Sequence, residues 1–276
     1  MSKLISVYGS SGFIGTKYCS LFDSIKINRE DNTPKSDEII YFISTTHNYN
    51  IFTDPYKDID TNLIKLINVL EECKKNSNTV FNFISSWFVY GMNASLDTKE
   101  SDYCDPTGFY SITKRAAEQL IISYCNTFNL KYRILRLTNI IGKNDKGVSS
   151  QKNALQYMFS LLKENKQINL YDNGSNIRDF MYVDDACRAI NKCIANAPLN
   201  EIINISNNEP KTIGDIILYA KDKLNSTSEI INIEAPHFHK VVQIKNVALN
   251  NKKLLSYGYS PSINTLQAVD LILECK

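Results

Sequence analysis

The chain has 276 residues, 43% of them hydrophobic and 22% charged, enough to build a sizeable core in one large domain or two coupled ones. Lys and Arg number 31 against 29 Asp and Glu, a net charge of +2, and the basic residues are scattered, which argues against a nucleic-acid partner. No apolar run approaches the ~18 residues of a membrane span, the N-terminus has no long apolar stretch of the signal-peptide kind, and the seven cysteines form no C-x-x-C pair. Reduced thiols, no membrane contact and a cytoplasmic location are therefore expected.

In chain order, residues 3–8 (KLISVY) are a short run of strand formers, followed by the glycine-rich GSSGFIG and a helical stretch from Phe13 to Phe22. A second short strand is expected at 24–28. A polar, Pro-containing segment and a strong strand at 39–44 come next. Leu63, Leu66, Ile67, Leu70 and Cys73 recur at three and four within a predicted helix over 60–75. Strands are predicted at 79–85, 132–137, 168–171 and 201–205. Helices are predicted from Tyr110 to about Asn126, over 153–165 and over 183–196, and from a capping box at Thr212 and Asp215 to Leu224. The tail alternates weakly and ends in a helical 264–274. Strands alternating with helices imply βαβ units and a parallel sheet covered on both faces. His237 and His239 would share one face of a strand, but two ligands make no zinc site, and no metal is expected.

Two stretches carry chemistry. Gly9 to Gly15 reads G-x-x-G-x-x-G between a strand and a helix. That is the pattern of a tight turn whose helix N-terminus holds a pyrophosphate, although a glycine-rich turn without a ligand has the same spacing. Tyr110 and Lys114 are four apart in a helix and share a face. A phenol, with a pKa of about 10, is a poor base near neutrality, and a neighbouring cation favours the phenolate. A Tyr packed on an aliphatic Lys stem would show the same spacing.

GSSGFIG, then ISSWFVYG at 84–91, then YSITK at 110–114, together resemble the extended short-chain dehydrogenases/reductases, in the NAD-dependent epimerase/dehydratase branch that acts on nucleotide-sugars. TNLIKLINVLEE (61–72), LRLTNIIG (135–142) and NGSNIRDFMYVDDACRAI (173–190) extend the likeness almost end to end. The resemblance implies an α/β fold: a Rossmann-type, doubly wound parallel sheet with a smaller C-terminal substrate-binding subdomain. The Rossmann core would be 1–145, with 176–205 returning to it, and 146–175 and 206–276 would form the nucleotide-sugar subdomain. Ser86, Tyr110 and Lys114 take the catalytic places, with Ser85 a rival for the first. Tyr110 would pass the proton while the nicotinamide carries hydride, and Lys114 would lower the Tyr110 pKa and bind the nicotinamide ribose. The cofactor would meet Gly9, Ser11, Gly12, Phe13, Ile14 and Gly15, then Phe42, Ile43, Ser44 and Asn62, besides Tyr110 and Lys114. The substrate would meet Ser86, Trp87, Asn139 and Arg178, the last as a fork for the diphosphate, unless it pairs with Asp179 or Asp172. Asn62 would otherwise be a polar residue on a solvated helix face.

Three departures refine the expectation. Where 4,6-dehydratases of this branch carry Asp-Glu, this chain has Trp87-Phe88, so a dehydratase is not expected. The segment between 28 and 39 is too short for the usual α-β-α. The second strand ends in Asn28-Arg29 rather than an acidic residue, which leans the cofactor towards NADP over NAD, although Glu30 and Asp31 follow closely. The reading is a nucleotide-sugar ketoreductase or epimerase working through a 4-keto sugar, as a homodimer. The alternative is a non-catalytic dinucleotide-binding regulator on the same fold.

Overall fold

The computed structural model describes residues 4–274; Lys3 of the expected first strand and the Cys275 thiol lie outside the described residues. β1 (Ile5–Tyr8), α1 (Phe13–Leu21), β2 (Ser24–Lys26) and β3 (Glu38–Tyr41) open the chain. A 3-10 turn at Asn48–Phe52 leads into a continuous helical run. The run is made of α2 (Tyr56–Ile59), a π turn (Asp60–Ile64) and α3 (Lys65–Cys73). β4 (Val80–Ser86), α4 (Phe109–Phe128), β5 (Lys131–Leu137), β6 (Asn139–Ile141), α5 (Ala154–Lys163) and β7 (Ile168–Tyr171) follow. Next come β8 (Ile177–Arg178), β9 (Phe180–Tyr182), α6 (Val183–Asn196), β10 (Glu201–Ile205), β11 (Lys211–Thr212) and α7 (Ile213–Leu224). β12 (Ile230–Ile233), α8 (His237–Val242), α9 (Lys252–Ser256) and α10 (Thr265–Leu273) complete the described chain.

Six strands form one sheet in the order β10-β5-β4-β3-β1-β2, and each neighbouring pair runs parallel. Both faces are buried, so the strands read as near-continuous apolar runs. Tyr8, Ile39, Tyr41, Phe81, Phe83 and Ile134 pack against α3 and α4, through Leu66, Leu70, Ala117 and Ile121. The alternate residues Val7, Ile40, Ile84 and Leu135 face α1 and α6, through Tyr18, Ala186 and Ile190. The chain leaves β1 in one direction to reach β2 and crosses to the other side to reach β3. The crevice of such a sheet opens at the carboxyl ends of the strands beside this switch point.

No helix connects β2 to β3. Residues 27–37 return along the face beside α3, held there by Tyr8 Oη donating to Asn32 O (2.8 Å), Lys35 N donating to Ser6 Oγ (2.9 Å) and the Ser6–Ser36 hydroxyl contact (2.8 Å). This irregular strap covers the sheet that the expected short segment would otherwise leave open.

The β4–α4–β5 unit is also tied internally. Arg136 and Glu118 are buried and paired through Nε–Oε1 (3.0 Å) and Nη2–Oε2 (2.8 Å), and Ser85 Oγ donates to Glu118 Oε1 (2.6 Å). Arg115 also reaches Glu118 Oε2 (2.8 Å), so it is removal of Glu118 that would leave the buried Arg136 charge uncompensated, a cost of about 3–5 kcal/mol.

Outside the main sheet, β6 pairs with β9, β7 with β12 and β8 with β11. These short pairs, with α5, α7 and α8, stand beyond the carboxyl edge and form the second wall of the crevice. His237 and His239 lie on helix α8 rather than on the expected strand.

Candidate functional site

A cleft of about 1080 Å³ runs from the Gly9 turn, past the ends of β3 and β4 and the start of α4, to Ile244. That volume is at the top of the range for small-molecule sites, roughly 300–1,000 Å³.

Gly9 has φ +76°, the left-handed region, and a Cβ on Gly15 would stand 2.3 Å from the Gly9 carbonyl oxygen, so the turn closes only with glycine at both places. Gly12 caps α1 without a side-chain bond, and no acidic residue occupies the first turn. The free N–H groups and the helix dipole there are left for an anion. Gly9, Gly12, Phe13, Ile14 and Gly15 line the cleft, whereas Ser11 is exposed and outside the lining. At the end of β3, Phe42 and Ser44 line it, while Ile43 packs on the core beneath α3 and α4. This glycine cradle and uncapped helix start fit the diphosphate of a dinucleotide.

Arg29 is exposed on the strap after β2 and does not line the cleft. Asn62 stands behind the wall rather than in it. Buried in the π turn, it accepts from Thr45 N (2.9 Å) and Ser44 Oγ (3.1 Å) and donates to the hydroxyls of Thr45 (2.8 Å) and Thr113 (2.9 Å). Its amide is fully used, so it acts as a brace rather than as a ligand or a solvated surface group.

Ser86, Tyr110 and Lys114 come together on one wall. The pleat separates the two serines. Ser85 is committed to Glu118 on the helix side, and the Ser86 hydroxyl, with that of Ser44, faces the Tyr110 phenol. The electrostatics differ from the expectation that Lys114 lowers the phenol pKa. Burial pushes Tyr110 up to about 12, and the Ser86 and Ser44 hydroxyls only partly offset this. Lys114 donates its Nζ to the Ile84 carbonyl (2.5 Å) and lies over the Phe83 ring at 4.0 Å. Its own burial brings it down to about 7, so near neutrality it carries only part of a charge and does little for a phenolate.

Trp87 and Phe88 stack at 4.0 Å, and Phe88 meets Tyr110 edge-on at 5.8 Å. Together they roof the phenol with apolar surface. Asn139 lines the cleft and donates to the Asp179 carbonyl (3.0 Å). Arg178 makes no ion pair with Asp179 or Asp172. Its Nη1 donates to the carbonyls of Lys245 (2.6 Å) and Ile177 (2.8 Å), its Nη2 donates to that of Ile244, and it sits 5.3 Å from the Trp87 ring. Carbonyls orient a guanidinium without neutralising it, and burial pulls Arg178 down to about 10. An anion in the cleft would meet that charge.

One part of the wall was not anticipated. The Tyr171 and His239 rings meet at 4.6 Å with their planes tilted by 50°, and Tyr49 Oη lies 3.3 Å from His239 Nδ1, so an aromatic group closes the far end. Its members come from three distant segments, and no spacing in the sequence links them.

The profile of the NAD dependent epimerase/dehydratase family matches residues 18–206. The chain belongs to this family. A putative UDP-glucose 4-epimerase of Methanocaldococcus jannaschii is 25% identical over 250 residues, covering 90% of this chain and 78% of the relative. A dTDP-D-glucose 4,6-dehydratase of Dictyostelium discoideum is 27% identical over 197 residues, covering 67% of this chain but only 44% of the relative. Among solved structures, UDP-glucose 4-epimerase of Thermotoga maritima with UDP-glucose superposes at a TM-score of 0.88, with 20% identity and 98% and 97% of the two chains covered. RMD of Pseudomonas aeruginosa with NADPH gives 0.84, with 22% identity and 99% and 98% covered. At these identities the superpositions establish the Rossmann-type fold, and the family is one that uses a nicotinamide cofactor.

The depressed Lys114 generates a pH test. The unfolded chain holds this proton to about 10.4, and the folded chain releases it from about 7. Between those values the unfolded state binds more protons, so stability from this group rises with pH. Lys114→Met removes that increment. Urea unfolding of both proteins from pH 7 to pH 10 is expected to show wild type gaining on the variant; parallel curves would contradict the assignment.

Proposed function

We propose that this chain is an NAD(P)-dependent nucleotide-sugar ketoreductase or epimerase that acts at a sugar ring carbon through a 4-keto sugar. The observation that carries this is the Tyr110 phenol in the cleft, faced by the Ser86 hydroxyl, with Lys114 one turn along and Arg178 available for an anion. A nicotinamide bound there supplies or accepts the hydride. Tyr110 gives its proton to the oxygen of a sugar carbonyl, or takes one from the hydroxyl in the reverse direction. Ser86 holds that oxygen by a hydrogen bond, Trp87 and Phe88 exclude water, and Arg178 pairs with the diphosphate. Against the dehydratase reading stand the two aromatic rings beside Tyr110. The lining's carboxylate among the described residues, Asp145, is already held by Lys152 (2.9 Å) and Asn153 (3.0 Å). A regulator without activity would not need the phenol, the hydroxyl and the lysine together in one cleft.

NADP(H) is favoured over NAD(H). Arg29 follows β2, whose end adjoins that of β1, and Asp31 is already engaged, accepting from Thr33 N (2.8 Å) and pairing with Lys35 (3.0 Å).

Assays with a nucleotide-linked 4-keto-6-deoxyhexose are expected to show turnover with a lower KM for NADPH than for NADH. Tyr110→Phe should retain cofactor affinity and lose about 10²–10⁴-fold in kcat. Turnover at the wild-type rate in that variant would contradict the reading.

The homodimer is also proposed. Ile64 and Ile67 on the α3 side and Phe109, Ile112 and Leu120 on α4 are exposed apolar residues on neighbouring helices, a surface suited to a second copy. Sedimentation velocity at micromolar concentration should give a dimer; a monomer would refute it.

A further inference from the structure

Four side chains that line the cleft stand in a row. Arg178 lies 5.3 Å from the Trp87 ring, Trp87 stacks on Phe88 at 4.0 Å, and Phe88 meets Tyr110 edge-on at 5.8 Å. The row runs from the guanidinium that an anion would meet to the phenol. Its two aromatic members are fixed in place. Trp87 is 4% exposed and packs with Ile244, Val247 and Leu249. Phe88 N donates to Ser86 Oγ (3.4 Å), the same hydroxyl that faces the phenol. Phe88 thus touches both groups between which a reacting oxygen would lie.

A sugar that carries its diphosphate at C1 and its reacting oxygen at C4 spans this row from Arg178 to Tyr110. A pyranose has two edges between those carbons. One bears the C2 and C3 hydroxyls. The other is made of the ring oxygen and C5, with C6 as its substituent. A hydroxyl pressed against aromatic ring faces gives up its water and gains no comparable partner, which weakens binding. The edge with two hydroxyls is therefore the wrong one to lay along Trp87 and Phe88.

That edge has hydrogen-bonding groups elsewhere in the lining. From the loop after β3, Thr46 and His47 line the same cleft. His47 Nδ1 accepts from Tyr49 N (3.2 Å), which puts the proton of the neutral ring on Nε2 as a donor. With the C2 and C3 hydroxyls turned away from the row, the C5 edge faces it. C5 is bonded to C4, so the C6 group comes beside the reacting oxygen and against the Phe88 ring. A methyl group there gains apolar contact, and a hydroxymethyl group loses a hydrogen bond.

We propose that Phe88, backed by Trp87, is a specificity-determining residue that selects a sugar whose C6 is a methyl group, a 6-deoxyhexose, over the parent hexose with a C6 hydroxyl. This rests on the nucleotide-sugar reading above and narrows its substrate class. The test is binding to the protein saturated with NADPH, a state in which a sugar with a C4 hydroxyl has no hydride acceptor and does not react. Calorimetry compares glucose with 6-deoxyglucose, and mannose with 6-deoxymannose, each linked to UDP, dTDP or GDP. In the series that binds, the 6-deoxy sugar should bind at least about tenfold more tightly, within the roughly 10–10²-fold discrimination available to an apolar pocket. Phe88→Ser supplies a hydroxyl in place of the ring and should lose most of that preference. A purely structural Phe88 would weaken both sugars alike and leave their ratio unchanged. A smaller ratio in wild type, or the wild-type ratio in folded Phe88→Ser, would overturn the proposal, and the first of these decides even where the variant does not fold. Measurable but equal binding of the two sugars overturns this proposal alone, whereas failure of every nucleotide-sugar to bind overturns it together with the reading it rests on.

Discussion

Helix α4 is held in register along β4 by polar contacts at successive turns, and the cleft inherits its geometry from that register. Asn48 Oδ1 accepts from Ser111 N (3.3 Å) at the start of the helix, Thr113 meets Asn62 (2.9 Å), Lys114 meets the Ile84 carbonyl (2.5 Å), and Glu118 takes Ser85 (2.6 Å) and Arg136 (2.8 Å). A slide of one residue would break all of them and leave buried polar groups without partners. Because Ser85 and Ser86 alternate across the pleat, the same contact that anchors Ser85 to the helix turns Ser86 towards the phenol. Gly108, just before α4, is part of this constraint: a Cβ there would stand 2.1 Å from Asn48 Oδ1.

The burial that fixes α4 also sets its chemistry. Tyr110 and Lys114 are withdrawn from water together, and each moves towards its neutral form, the phenol to about 12 and the ammonium to about 7. A site of this kind rests with its proton on the phenol. Bound ligands that bring positive charge would act against that preference, so the direction of proton transfer follows from what occupies the cleft.

Much of this was legible in the sequence where a pattern repeats with the period of its element. The strands at 168–171 and 201–205 and the helix at 183–196 fall where expected, because apolar spacing and burial agree there. The phenol, lysine and serine could be gathered because ISSWFVYG and YSITK resemble the family's motifs in order. Other features turn on single-residue geometry. The choice of Ser86 over Ser85 depends on which side of the pleat each occupies. The π turn at Asp60–Ile64 carries Asn62 inwards to the Thr45 and Thr113 hydroxyls, where the family resemblance gave reason to place it at the cofactor. Asp58 lies in DPYKDID, which reads as a solvated helix face, and only the loop packed over it makes it buried. The Tyr49–Tyr171–His239 wall is assembled from three segments distant in sequence, and local pattern carries no trace of it.

The central claim is that Tyr110 works beside a hydride transfer to a sugar ring carbon. The most direct measurement is isotopic: protein, NADPH deuterated at the transferable C4 position and a nucleotide-linked 4-keto-6-deoxyhexose, followed by mass spectrometry and NMR of the recovered sugar. The account predicts deuterium on sugar C4, with label transfer abolished or strongly slowed in Tyr110→Phe. Binding of both ligands with no label reaching the sugar, using either deuterated NADPH or deuterated NADH, would contradict it.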